Sequence, residues 1–171
     1  MFAGTFNVKN LNVDGAWVQG NGYVGVIGGN LYGNITNCHI KNSQVYGGYW
    51  QVGGFVGQWN GGSISGCSIE DTTVTGPSAV GLIVGIFNET AGVRKIENCV
   101  IKNCAIAQNY SFGAGYDTLF GMVAGYLNAL EGIEYHFNNI TIENSTLRGE
   151  VSELLYGELN NGKVYIDGVQ Q

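Results

Sequence analysis

The amino-acid sequence predicts an all-β protein: a single-stranded, right-handed parallel β-helix (a solenoid) of about five coils, with three short strands in each coil. Three observations lead to this fold class. A unit repeats along the chain, an apolar element bounded by glycine precedes each copy, and Asn or Gly recurs at matching places within the copies. No long stretch shows the 3.6-residue apolar period of a helical domain, so we expect little helix.

The repeating unit is clearest at 64–76 and returns at 35–47, 96–107 and 137–149, with a half-copy at 6–15. In every full copy the first and last apolar residues lie ten positions apart. These pairs are Ile35/Val45, Ile64/Val74, Ile96/Ile106 and Phe137/Leu147. Because this internal spacing is constant while the spacing between copies varies, we infer one structural unit joined by loops of different lengths.

Two bends are predicted inside each unit. Side chains of a straight strand alternate between its two faces, so inward apolar residues should be an even number of positions apart. At two places in each unit the spacing between apolar residues is odd, which requires a bend there. Asn and Gly tolerate the left-handed backbone that such corners require. The first bend is predicted at Asn37, Gly66, Asn98 and Asn139. The second is predicted at Asn10, Asn42, Asp71, Asn103 and Asn144. Equal Asn side chains on stacked coils are expected to bond one another.

The same alignment places charged residues on the outside and cysteines on the inside. The charged row reads Lys9, Lys41, Glu70, Lys102 and Glu143. Its opposite signs predict ion pairs between coils that contribute roughly 0.2–1 kcal/mol each. One inward position holds cysteine in three copies, at Cys38, Cys67 and Cys99, and Cys104 is the fourth cysteine of the chain. We interpret all four as buried, reduced thiols that pack as small apolar groups.

The element before each unit is apolar and bounded by glycine, as at 52–57 and 80–85, which predicts a buried strand between tight corners. Trp59 holds the place that Phe87 and Leu127 hold in later copies, so we assign it to the core. From Gly54 to Cys67 the chain reads Gly-aromatic-Val-Gly and then Asn-Gly-Gly-x-Ile-x-x-Cys. This run resembles the GLUG repeats of bacterial surface proteins.

The resemblance covers nearly the whole chain and is strongest at 50–76 and weakest after 150. GLUG repeats occur beside the catalytic part of some IgA-cleaving metallopeptidases and in large exported proteins of gut bacteria. The resemblance therefore implies a non-catalytic stalk or adhesion module of a cell-surface or secreted bacterial protein. The peptidases' own His-Glu-x-x-His is absent from this sequence.

We predict one β-helix repeat domain over residues 1–171. Its approximate coils are 1–20 (partial), 21–49, 50–78, 79–115, 116–149 and 150–171 (partial). The repeat begins and ends in mid-unit, so we interpret the chain as a fragment of a longer protein whose flanking domains are partners. Open coil ends expose unpaired backbone, which makes end-on self-association a second expectation.

Composition excludes several classes of partner. The formal net charge is −6, and the 7 Lys and Arg residues are not clustered, so nucleic acid is not an expected partner. No apolar run reaches the ~20 residues that span a bilayer, so we expect no membrane insertion. The sequence shows no signal peptide in this fragment, and the surface or secreted location rests on the resemblance.

Few residues suggest catalysis. His39 and His136 have no Ser, Cys or carboxylate at a triad or metal spacing. Glu70 and Glu143 share a row, but Lys102 lies between them, which does not suit a glycosidase pair. We therefore predict no catalytic residue, no metal site and no cofactor, and that the chain is not an enzyme.

Aromatic residues at the corner before each glycine-bounded strand are the candidate ligand contacts. They are Trp17, Tyr46, Tyr49, Trp50 and Tyr110. Flat rings beside Asn, Asp and Gln suit a sugar, because a ring packs against the apolar face of a pyranose. The alternative is that these rings only cover the edge of the coils. At the opposite corner, the insertions 89–95 and 128–136 form a second candidate contact patch.

The expected function is thus a non-catalytic structural or adhesive repeat module that presents corner loops to a host or bacterial glycan or protein ligand. The alternative is a glycan-binding or glycan-cleaving β-helix that uses the aromatic corner.

Overall fold

The structure is a computed structural model that describes residues 5–88, 93–128 and 132–171. The described residues form 23 strands joined by turns and bends, and none of them is helical. None of these residues therefore forms a helix that could cross a membrane. The predicted all-β content is confirmed.

The strands fall into successive coils. The first coil holds β1 (Thr5–Lys9), β2 (Asn12–Asp14) and β3 (Trp17–Gly20). The second holds β4 (Gly28–Thr36), β5 (His39–Lys41) and β6 (Gln44–Gly47). The third holds β7 (Trp50–Gly53), β8 (Val56–Trp59), β9 (Gly62–Ser65), β10 (Ser68–Glu70) and β11 (Thr73–Gly76).

The later coils follow the same order. The fourth holds β12 (Ser78–Gly81), β13 (Val84–Phe87), β14 (Val93–Lys102) and β15 (Ala105–Gln108). The fifth holds β16 (Phe120–Gly121), β17 (Ala124–Asn128), β18 (Glu134–Glu143) and β19 (Thr146–Leu147). The chain closes with β20 (Glu150–Val151), β21 (Tyr156–Asn160), β22 (Lys163–Ile166) and β23 (Val169–Gln170).

Strands of successive coils pair in parallel, which confirms a parallel β-solenoid of about five turns. The stacked strands form a 14-stranded, a 6-stranded and a 3-stranded sheet. Two pairs differ: β20 runs antiparallel to β19, and β23 runs antiparallel to β22. The coils are divided more finely than the three strands predicted, since bends at 54–55, 60–61, 66–67 and 71–72 split the third coil into five.

Both predicted bends have the left-handed backbone. At the first bend φ is 51° at Asn37, 62° at Gly66, 55° at Asn98 and 50° at Asn139. At the second bend φ is 50° at Asn42, 47° at Asp71, 51° at Asn103 and 46° at Asn144. The expected bonds between coils are present as well, because the Asn139 amide donates to Asn98 Oδ1 at 2.8 Å and the Asn103 amide donates to Asp71 Oδ1 at 3.1 Å.

The register predicted for the half-copy at 6–15 is wrong by five residues. Val8 pairs with Ile35, which places Asn10 beside Asn37 at the first bend, not at the second. The second bend of this coil is at Gly15, where φ is 72°. The sequence misleads here because Asn occurs at both bends and so fits either alignment.

The corrected register also changes the charged row, whose first member is Asp14 in place of Lys9. The row now reads Asp14, Lys41, Glu70, Lys102 and Glu143, with opposite signs at every step. The predicted ion pairs are confirmed at Lys41–Glu70 (3.8 Å) and Lys102–Glu143 (3.4 Å). All these side chains are partly exposed, so each pair contributes little to stability.

Apolar side chains of successive coils lie over one another inside the solenoid. One stack consists of Ile35, Ile64, Ile96 and Phe137, all buried. Burying each such side chain stabilises the fold by about 1.5–3 kcal/mol. Trp59 is fully buried as predicted, with its ring centroid 5.2 Å from that of Phe87. Its indole nitrogen donates to the Gly33 carbonyl at 3.0 Å, which satisfies the one polar group that the ring brings inside.

The cysteines are buried and unbridged, as predicted. The Ser68 amide donates to the Cys38 carbonyl, and the Val100 amide donates to the Cys67 carbonyl, so Cys38, Cys67 and Cys99 occupy one stack. Burial raises the pKa of the Cys38 thiol and raises that of Cys104 to about 11. Both thiols are therefore protonated at neutral pH.

Because φ is positive at Asn98, we expect replacement by Ala to destabilise the fold more than replacement by Gly. An Ala side chain in the left-handed region costs about 1–2 kcal/mol, whereas Gly adopts that region freely. Asn98→Ala should thus lower the free energy of unfolding by about 1–2 kcal/mol more than Asn98→Gly, measured by urea titration. Glycine already occupies the equivalent corner of the third coil, at Gly66. Equal urea midpoints for the two variants would contradict the role assigned to positive φ.

Candidate functional site

The aromatic corner is built from two segments of different coils: 47–50, which joins β6 to β7, and the loop 109–119, which joins β15 to β16. In the coil between them, β11 ends at Gly76 and β12 begins at Ser78, so the corner there is a tight turn through Pro77. The loop 109–119 crosses this short corner and reaches the second coil.

Hydrogen bonds fix the crossing loop at both coils. The Asn109 amide donates to the Gly47 carbonyl at 3.1 Å, and the Tyr110 hydroxyl donates to the Gly48 carbonyl. Over the intervening coil, the Ser78 hydroxyl donates to the Tyr116 carbonyl at 3.3 Å. These bonds hold the loop in a defined position on the solenoid.

Five aromatic rings form a cluster, with Phe112 at its centre and four rings around it. The Phe112 ring centroid lies 5.3 Å from that of Tyr49, 5.1 Å from that of Tyr110, 5.9 Å from that of Tyr116 and 6.2 Å from that of Trp50. Most of these contacts are edge-to-face, a geometry worth about 0.5–1.5 kcal/mol beyond burial. The Trp50 ring also meets Tyr116 edge-on at 5.1 Å. Part of this surface is therefore engaged in packing between the rings themselves.

Three of the five predicted contact residues, Tyr49, Trp50 and Tyr110, lie together in this cluster. Tyr49 is 51 % exposed and Tyr110 is 43 % exposed, whereas Trp50 is half-buried. The other two, Trp17 and Tyr46, lie on neighbouring strands of the 6-stranded sheet. No ring contact joins either of them to the cluster within the described residues, and Trp17 is 71 % exposed.

The five predicted contact residues do not include Phe112 and Tyr116, although both belong to the same aromatic corner segment as Tyr110. Their alternation with Gly and Ser within a long corner was the available signal. Of the opposite insertions, 89–95 and 128–136, residues 89–92 and 129–131 lie outside the described part of the chain.

A polar network closes the base of the loop around Asp117. Its carboxylate accepts hydrogen bonds from the Ser111 hydroxyl and the Gln108 amide, both at 2.7 Å. The Arg148 guanidinium donates to the Asp117 carbonyl at 2.9 Å, and its central carbon lies 4.8 Å from the centre of the Phe120 ring. The bonds from Gln108 at the start of the loop and from Ser111 within it converge on Asp117 near its end, so the network holds the loop together.

Groups of catalytic type have structural partners elsewhere. His39 bonds Ser68 Oγ at 2.9 Å and Asn37 Oδ1 at 3.1 Å. His136 contacts Glu134 at 3.2 Å and stacks on Tyr165, with ring centroids 4.7 Å apart. Within residues 5–88, 93–128 and 132–171, no group of three or more His, Cys, Asp or Glu residues could hold a metal ion.

The loop should loosen in acid. Hydrogen bonds from Ser111 and Gln108, aided by the charge of Arg148, hold the pKa of Asp117 below its ordinary value of 3.8. Because the folded pKa lies below the unfolded one, this contribution is complete above about pH 3.8 and is lost as the pH falls through the folded value. We expect the near-UV circular dichroism of the aromatic corner to change below pH 3.8. In Asp117→Asn the change should already be present at pH 7, and an unaltered spectrum in that variant would contradict this role.

The conformation of the third coil explains its glycine-rich sequence. A Cβ at Gly54 would lie 2.1 Å from the Leu82 carbonyl oxygen, and one at Gly57 would lie 2.5 Å from the Gln51 carbonyl oxygen. Neither place can hold a side chain, because the obstacle is backbone. Gly54 and Phe55 thus form a tight corner, Gly57 follows in β8, and the side chains of Phe55 and Val56 between the two glycines are buried.

Comparison with protein-family models gives one match, and it covers the third coil. Residues 48–75 match the family model described as the GLUG motif. Searches of curated proteins and of solved structures found no match. The matched segment runs from the aromatic corner through Gly54, Gly57 and Trp59 to Cys67 and β11, which is one full circuit of the solenoid. This chain is therefore a β-solenoid whose third coil matches the GLUG motif.

Proposed function

We propose that this repeat module is a non-catalytic structural and adhesive part of a bacterial cell-surface or secreted protein, and that it presents its corner loops to a ligand. The observation that supports this most directly is the anchoring of loop 109–119 across a whole coil. A solvent-exposed loop bonded to Gly47 and Gly48 is held at a fixed place on a stacked scaffold. Loops on rigid scaffolds are where binding residues concentrate.

The non-catalytic part of the proposal draws on the outer charges. Lys102 separates Glu70 from Glu143 in their row, and at strand spacing the two carboxylates lie roughly 10 Å apart. Lys41 and Lys102 form ion pairs with Glu70 and Glu143, so each carboxylate is engaged by its neighbour in the row. Two carboxylates in one row with a lysine between them are not the pair facing each other across a bound sugar that glycoside hydrolysis needs.

Surface presentation is tested in the source cells. We expect an antibody against the chain to label intact cells or the culture medium, and external protease to remove the cell-bound signal. A cytoplasmic protein followed in the same samples is the control, and its signal should survive the protease. Labelling that appears only after lysis would contradict a surface or secreted location.

Glycan binding is the second candidate, and the exposed faces of Tyr49 and Tyr110 favour it. These half-exposed rings stand beside polar groups of the loop, and a pyranose packs on such rings. Trp50 packs against Phe112 and Tyr116, so Trp50→Ala would also disturb the loop. Tyr49→Ala removes a ring from the surface with less effect on packing.

On a glycan array the wild-type chain is expected to bind, and Tyr49→Ala should bind about three- to tenfold more weakly. Tyr32→Ala is the matched control, because Tyr32 is similarly exposed on β4 and should leave binding unchanged. Absence of any bound glycan, or equal binding by Tyr49→Ala and wild type, would exclude this candidate and leave the structural role standing.

A further inference from the structure

His39 and Ser68 lie side by side on the outer face of the second and third coils. Strands β5 and β10 pair in register, so the two residues are direct neighbours. The Nδ1 atom of His39 lies 2.9 Å from the Ser68 hydroxyl oxygen, and its Nε2 atom lies 3.1 Å from Asn37 Oδ1. A serine, a histidine and an acceptor that orients the histidine form the arrangement that activates a serine nucleophile. Spacing along the chain does not reveal this arrangement, because Ser68 follows His39 by 29 positions.

The hydrogen bonds of Asn37 assign the proton of the His39 ring. The Asn37 amide nitrogen donates to Asn10 Oδ1 at 2.7 Å, so the atom of Asn37 that meets His39 is the acceptor, Oδ1. An acceptor at this place requires the ring proton to be on Nε2. The Nδ1 lone pair then accepts, and the Ser68 hydroxyl donates to it. His39 is thus placed as a base toward Ser68, with Asn37 as a positioning residue.

Gly66 interrupts the amide ladder at this corner and so makes Asn37 available to the histidine. At the same bend of the fifth coil, Asn139 donates its side-chain amide to Asn98 Oδ1 of the coil before it. The third coil has Gly66 at the equivalent place, and glycine has no side-chain amide. Asn37 Oδ1 therefore receives no amide from the third coil and accepts from His39 instead.

The same interruption leaves open space beside Ser68. Apart from atoms of its chain neighbours, the nearest atom to a Cβ built at Gly66 is the Asn37 backbone nitrogen, at 4.0 Å. On the other side of this gap, Asn98 uses Oδ1 to accept from Asn139, which directs its amide nitrogen toward Gly66. Within the described residues this nitrogen donates no hydrogen bond. A side-chain amide in such a place can stabilise the negative charge of an oxyanion.

The surroundings of Ser68 specify what it can react with. Ser68 and Val100 are partly exposed neighbours in one outward row, so Val100 offers apolar surface to a short acyl chain. Their backbone amides already bond the Cys38 and Cys67 carbonyls and do not serve an oxyanion. One oxyanion donor is worth about 10²–10³-fold in rate. With the Asn98 side chain in that role, we expect reaction only with acyl donors that have a good leaving group.

We propose that Ser68 is a nucleophile that accepts an acyl group from activated esters. Its oxygen attacks the ester carbonyl carbon while His39 Nδ1 takes the hydroxyl proton. The bond between that carbon and the leaving oxygen then breaks, and the leaving oxygen or water takes the proton from His39. The acyl group stays on Ser68 as an ester. This modification site is separate from the aromatic corner and does not depend on a ligand there.

The probe is p-nitrophenyl acetate at pH 8, where an imidazole is neutral. Absorbance follows the release of nitrophenolate, and the mass of the whole chain counts the acetyl groups added. We expect the first acetyl group on Ser68, located by peptide mass mapping. In Ser68→Ala the rate of release should fall at least tenfold, because a positioned base contributes roughly 10²–10⁴-fold. Ser65→Ala is the matched control, since Ser65 is a partly exposed serine of the same coil and bonds no histidine among the described residues.

Gly66→Asn distinguishes the reactivity of Ser68 from the stability of the fold. Asn adopts positive φ at Asn37 and Asn98, and the space at Gly66 accepts a Cβ, so the urea midpoint should equal or exceed that of the wild type. The new amide would bond Asn37 Oδ1 in place of His39 and would fill the gap. The rate of acetylation of Ser68 should therefore fall about tenfold in a chain that is folded.

Equal rates of nitrophenolate release for the wild type and Ser68→Ala would overturn the proposal, and so would acetylation confined to lysine side chains. A folded Gly66→Asn chain that reacts as fast as the wild type would likewise overturn it. Release beyond one equivalent that disappears in Ser68→Ala would support it, because water would then be removing the acyl group from Ser68.

Discussion

In-register parallel stacking is the constraint on which the rest of this structure depends. Each backbone position pairs with the same position of the next coil, so a corner that turns with positive φ in one coil has to turn so in its neighbours. Asn10, Asn37, Gly66, Asn98 and Asn139 satisfy this at the first bend with φ between 50° and 62°. The corner positions therefore hold Asn or Gly, because few other residues adopt a positive φ without strain. The amide ladders arise from the same superposition.

Features that depend on local physics could be predicted from the sequence. The bends at Asn98 and Asn103, the buried place of Trp59 and the cysteine stack each follow from residue type and parity. The register of the half-copy could not be predicted in this way. Asn10 fits either bend by residue type, and only the pairing of Val8 with Ile35 decides between them. The finer division of the third coil also escaped prediction, although the odd spacing between the buried residues Trp59 and Ile64 is the same change of parity that marks the other bends.

The aromatic corner illustrates a different limit. Its loop bonds residues 62 positions earlier in the chain, because Asn109 and Tyr110 pass over the coil that lies between. That contact exists because the corner at Pro77 is short while the corner after Gln108 is long. The difference between the two lengths, not a motif in either, brings Tyr49 and Phe112 together. A sequence examined unit by unit identifies the aromatic residues but not the cluster that they form.

Stacking and corner loops bear on stability in separate ways. An insertion at a corner interrupts no pair between coils, and the entropy of closing a loop rises only slowly with its length. Corners can therefore differ from coil to coil while the interior stacks persist. Within the stack, stability is close to a sum of interfaces between neighbours, so an interior coil is held by two interfaces and a terminal rung by one. Val8 and Val13 accordingly gain less from burial than Ile35 and Ile40, although their backbones are paired in register. A rung held by one interface is thus the least stable part of the described stack.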